Sequence, residues 1–150
     1  MMRRPKTWIV VADGAQARFL ETRDSRRFEV VDQMASTEAR LKSSELGSDH
    51  PGRTHESAAT ARHAVESRHD PHEMAARHFI EAVVEKLHQA DRNHRFERLV
   101  LVAPNRRLGQ LRDGLGPQIH EKIAREIGKD LIKLPHGALS ERLADLLGPQ

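Results

Sequence analysis

Thr7-Trp8-Ile9-Val10-Val11-Ala12-Asp13-Gly14-Ala15-Gln16-Ala17-Arg18-Phe19-Leu20-Glu21-Thr22 is the stretch from which the fold can be read. Trp8 to Ala12 is an unbroken apolar run rich in β-branched residues, the pattern of a strand covered on both faces. Asp13-Gly14 supplies a turn, and the positive φ that many tight hairpins need would explain the glycine. Arg18 to Thr22 returns as a second strand, so the sheet begins as an antiparallel hairpin whose first strand is central. Arg27 to Met34 alternates well enough for a third strand, giving a three-stranded meander over residues 7–34.

Downstream, the punctuation changes twice. From Ala35 to His69 the chain is rich in Ser, Thr, His, Arg and Glu, with few large apolar residues. It reads as a long polar loop, and residues 56–67 suit a polar helix with little to bury. Loops of this length inside a domain tend to be functional or ordered by a partner. Asp70-Pro71-His72-Glu73 then starts a helix, with Asp as N-cap and Pro at the first helical position. Ala75, Phe79, Val83 and Leu87 form its buried stripe, widened by Ile80 and Val84, to about Ala90.

Glu97 to Ala103 is a second buried strand, expected to lie parallel to the first because a helix separates them. A helix from Arg106 carries Leu108, Leu111 and Leu115 inward and restarts at Gly116-Pro117. Ile119, Ile123 and Ile127 extend its stripe until Gly128 caps it. Asp130 to Leu134 is the expected last strand, followed by a helix over 140–147 with Leu139, Leu143 and Leu146 inward. The order implies one domain over residues 1–150: an α/β three-layer sandwich on a mixed five-stranded sheet.

Composition narrows the function classes. The 150 residues contain no cysteine, so neither disulfides nor thiolate metal sites arise. No apolar run approaches the roughly 20 residues of a membrane helix, and no signal-peptide pattern follows Met1, so a cytoplasmic protein with no membrane partner is expected. Lys and Arg total 25 against 22 Asp and Glu, a mild basic excess that by itself says little about nucleic acid. Aromatics make up 3%, too few for a platform that stacks single-stranded bases.

Four constellations bear on chemistry. Pro104-Asn105-Arg106-Arg107 sits at the carboxyl end of a strand and the amino end of a helix. Free N–H groups there attract anions, and guanidinium forks suit phosphate. Ser48-Asp49-His50-Pro51-Gly52-Arg53 is a Pro-Gly turn flanked by Asp and Arg, read equally as a partner-binding turn or an exposed Asp–Arg pair. His50, His55, His63, His69, His72 and His78 lack the spacing of a zinc helix, so no metal is assigned to them. Asp13 ends the first strand, where ribonuclease-H-like nucleases hold magnesium. The parallel strand, however, ends in Pro104-Asn105 with no second acid, so Asp13 is read as a turn residue beside Gly14. No nucleophile motif is present and no cofactor is assigned.

Trp8 to Arg18, Ser48 to Arg53, and Leu99 to Pro104 followed by Leu108-Gly109-x-Leu111-Arg112 together resemble the bacterial host attachment protein family. The Lys129-Asp130-Leu131 strand start fits as well. That family is similar to the central domain of archaeal and eukaryotic class I peptide-chain release factors and of Pelota. The resemblance implies a ribonuclease-H-like, release-factor-like sandwich with sheet order 3-2-1-4-5. Release factors carry a Gly-Gly-Gln loop between meander and long helix; His50 to Ala58 stands there and contains none, so peptidyl-tRNA hydrolysis is expected to be absent.

The resulting expectation is a non-enzymatic, ribosome-associated or RNA-binding protein. Ser48, Asp49, His50, Gly52, Arg53, Asn105, Arg106 and Arg107 would grip phosphate or a partner, and an attachment phenotype would be indirect. One alternative is a divergent metal-dependent hydrolase or nuclease using Asp13 and the loop histidines. The other is a structural homo-oligomer whose polar loop wraps a neighbour.

Overall fold

The computed structural model describes residues 4–41 and 70–148. Strands β1 (Thr7–Ala12), β2 (Gln16–Thr22) and β3 (Glu29–Ala35) are followed by helix α1 (Pro71–Arg92), β4 (Arg98–Val102), α2 (Asn105–His120), β5 (Ile123–Ile127) and α3 (His136–Leu147). The sheet runs β3-β2-β1-β4-β5, antiparallel across the meander and parallel from β1 through β4 to β5. The mixed five-stranded α/β sheet is the one read from the sequence, and its order is the one the family resemblance implies.

β1 is the central strand, and alternation sends its side chains into two cores. Trp8, Val10 and Ala12 join Phe79, Val83, Leu87, Leu111 and Leu115 beneath α1 and α2. Ile9 and Val11 join Leu131, Ile132, Leu139 and Leu143 beneath α3. Residues 8–12 are at most 1% exposed, which is why the run reads as uniformly apolar. The Trp8 ring lies 5.6 Å from Phe96 and 6.0 Å from Phe19, and its indole N–H donates to Glu21 Oε1 at 3.2 Å.

α1 starts as its sequence dictates. The Asp70 carboxylate accepts the His72 N–H at 2.8 Å, Pro71 opens the first turn, and the helix runs on to Arg92. The polar stretch expected from Ala35 begins later than that, because β3 runs through Ala35 and a helical turn over 37–41 follows. Ser36 Oγ accepts the Ala39 N–H within it. The expected polar helix at 56–67 lies outside the described residues.

One expected strand is misplaced. Residues 123–127 are β5 rather than helix, while Asp130 to Leu134 form a turn closed by Leu134 N–H to Leu131 O. The restart at Pro117 lasts about one turn: Gly116 adopts φ 80°, and Lys122 N–H closes on Ile119 O. The fourfold spacing of Ile119, Ile123 and Ile127 imitates a helix because β5 carries an irregularity. Leu99 pairs with Ile123 but Val100 with Arg125, so Ala124 is an extra residue. That bulge sends Ile123 to the α1–α2 core and Ile127 to the α3 core. As an edge strand, β5 exposes its middle residues and lacks an apolar run. Leu131 and Ile132 supply such a run as a buried turn, held by Arg18, whose guanidinium donates to the carbonyls of Ile132 and Leu134. Gly128 accordingly follows a strand and caps no helix.

Candidate functional site

The carboxyl end of the central strands gathers Asp13 and Gly14 after β1 with Asn105, Arg106 and Arg107 after β4. Asp13 Oδ1 accepts the N–H groups of Ala15 and Gln16, both at 2.8 Å, and its own N–H closes on Gln16 O. That oxygen is thus occupied in holding the turn. Gly14 serves a different purpose from the one its sequence context suggests. It has no positive φ; instead, a β-carbon there would stand 2.8 Å from Ala76 Cβ and 3.4 Å from Arg107 Nε. Glycine lets α1 press against the end of β1.

Above that contact, Glu73 of the first turn of α1 meets the first turn of α2. Arg107 Nη2 donates to Glu73 Oε1 at 2.8 Å and Nη1 to Oε2 at 2.9 Å, a fork-to-fork pair with side chains 16% and 12% exposed. Gln110 Oε1 accepts from Arg107 at 3.0 Å. These hydrogen bonds from Arg107, opposed by desolvation and aided by the charges of Arg107 and Arg106, hold the Glu73 carboxyl at about 2. Arg107 is pushed up in turn, first by its hydrogen bonds to Glu73, with a lesser contribution from the charge of Asp13.

Two more guanidiniums approach the same carboxylate from solvent: Arg106 at 3.4 Å and Arg77 at 3.8 Å, 67% and 64% exposed. Three arginines therefore share one glutamate. Helix α2 begins without a side-chain cap and without an acid in its first turn, so positive charge and helix dipole add there. Asn105 has its side chain against Gly128, in the space a β-carbon would take.

Ser48, Asp49, His50, Gly52 and Arg53 lie outside the described residues, as do His55, His63 and His69. The chain on either side of them returns to this edge: Ser36 N–H donates to Ala15 O, and Glu38 Oε1 lies 2.9 Å from His78 Nδ1. Among the described residues no three His, Asp or Glu side chains are grouped to hold a metal ion, and no helix is long and apolar enough to cross a membrane. Sequence reasoning missed Glu73 as the centre of the cluster, and missed Arg77 altogether. The spacing of Glu73 and Arg77, four apart on one helix face, was the available signal. The contact between α1 and α2 had none.

The profile described as "protein required for attachment to host cells" matches residues 8–143. The chain belongs to this host attachment family. No curated protein matches it. Among solved structures, the crystal structure of an archaeal translation termination factor is similar over 95% of this chain at 10% identity, with a TM-score of 0.47. The match takes in 39% of that factor's length.

Proposed function

We propose that this host attachment family member is a non-enzymatic binding protein that grips RNA phosphates, ribosomal or transfer, at the carboxyl edge of its sheet. The observation that carries the reading is the exposed guanidinium of Arg106 on an uncapped helix start, with Arg77 beside it and a single glutamate shared among three arginines. That excess of positive charge at free N–H groups suits a phosphate. Arg107 acts as the brace that fixes the helix start, since its fork is filled by Glu73. Ser48, Asp49, His50, Gly52 and Arg53 belong to the segment joining the two strands of chain that meet this edge, and Arg53 adds a further phosphate-binding fork. In this reading Asp13 serves the turn, its Oδ1 accepting from two backbone N–H groups.

Co-sedimentation with ribosomes at low salt tests it. Wild type is expected in the pellet, and a variant carrying Arg53→Glu with Arg106→Glu in the supernatant, at unchanged thermal stability. A wild-type protein that stays in the supernatant at low salt overturns the proposal.

A further inference from the structure

At the opposite end of the sheet, the β2–β3 turn carries a second group of arginines that the family assignment leaves without a role. A cleft of about 440 Å³ opens there between the turn and the end of α3, lined by Arg4, Arg23, Asp24, Ser25, Arg26 and Leu147. The turn is held firmly. Thr22, only 4% exposed, accepts the Ser25 N–H at 2.9 Å and donates to Asp24 Oδ1 at 3.3 Å. Asp24 Oδ1 also accepts the N–H groups of Arg26 and Arg27 at 2.9 and 3.0 Å. These backbone bonds, Arg27 first, keep its carboxyl below the ordinary carboxylate range.

Among the described residues Asp24 is the one carboxylate lining the cleft, and its Oδ1 is taken by the turn. No ion pair to Arg4, Arg23 or Arg26 forms among the described residues; Arg23 Nη1 donates to the Arg4 carbonyl at 3.1 Å. Three arginines thus line one cleft against one carboxylate. We infer that this cleft is a binding site for a compact phosphate-bearing anion of the pyrophosphate class. Guanidinium forks match the paired oxygens of such a group. The volume falls in the range of small-molecule sites, and the lining holds no aromatic ring to stack a base, so recognition rests on the phosphates alone. The site shares no residue with the Arg106 edge, and its failure would leave the RNA reading standing.

Calorimetric titration of the full chain with inorganic pyrophosphate, against sulfate at matched ionic strength, tests the inference. Wild type is expected to bind pyrophosphate at least about tenfold more tightly than sulfate, and Arg26→Glu to lose about tenfold or more, since a charge-assisted bond is replaced by repulsion. Asp24→Asn keeps the acceptor oxygen for the turn and removes the opposing charge, so it should bind more tightly than wild type. Arg142→Glu, an exposed change on α3 outside the cleft, should bind as wild type does. Pyrophosphate held no better than sulfate, or held equally by wild type and Arg26→Glu, overturns the inference.

Discussion

A group of three arginines lies near each end of the sheet, and the two groups are put to different uses. At the carboxyl end, Glu73 enters the group and takes the fork of Arg107, so one arginine becomes a structural tie between α1 and α2 while Arg106 and Arg77 remain on its solvent side. At the amino end, Asp24 turns its oxygen to backbone N–H groups and, among the described residues, ties no guanidinium. The number of arginines is therefore a poor guide to where an anion can bind. What the nearest carboxylate is already doing decides how much positive charge is left.

If Glu73 is the tie, removing it should cost most. Glu73→Ala leaves the mostly buried Arg107 without its partner and is expected to destabilise the fold by about 3 kcal/mol, measured by urea unfolding. Arg26→Glu at the other end, by the same measurement, should stay within about 0.5 kcal/mol. Equal losses at the two ends would erase the contrast.

Acid should reveal the tie without mutation. The folded-state carboxyl of Glu73 lies at about 2, below its ordinary 4.5. Its contribution is therefore present above about pH 4.5 and fades as pH falls toward 2. Between pH 5 and 2.5 wild type should lose about 2 kcal/mol through this group alone. Glu73→Gln, which cannot titrate, should lack that part of the slope. Parallel acid profiles for the two proteins would show that the pair contributes nothing.

Gly14→Ala probes the packing under the tie. The added methyl would press on Ala76 across 2.8 Å, and is expected to cost between about 1 and 2 kcal/mol by thermal melting, as overpacked cores do. Asp13→Asn, which keeps an oxygen for the two N–H groups, should cost less than about 1 kcal/mol in the same assay.

Much of this fold was legible from residue type and spacing. Trp8 to Ala12 announces a central strand because both of its faces are covered, and Asp70-Pro71 announces α1 because capping is local chemistry. β5 was hidden by position. An edge strand with a bulge carries neither an apolar run nor a clean alternation, and its two isoleucines mimic a helical stripe. The candidate site divided along the same line. Arg106 and Arg107 stand out because a strand end followed by a helix start is a local pattern. Their partner Glu73 is 34 residues away from Arg107, joined only once α1 and α2 pack. Gly14 looked like a turn glycine, and its real constraint, the approach of Ala76, is tertiary.

The proposed function turns on whether Arg106 touches phosphate. Affinity for transfer RNA, measured by fluorescence anisotropy across a salt series for wild type and Arg106→Glu, asks this most directly. The account predicts weaker binding by the variant, with a slope of log affinity against log salt shallower by about one. The same affinity and slope for both proteins would contradict it.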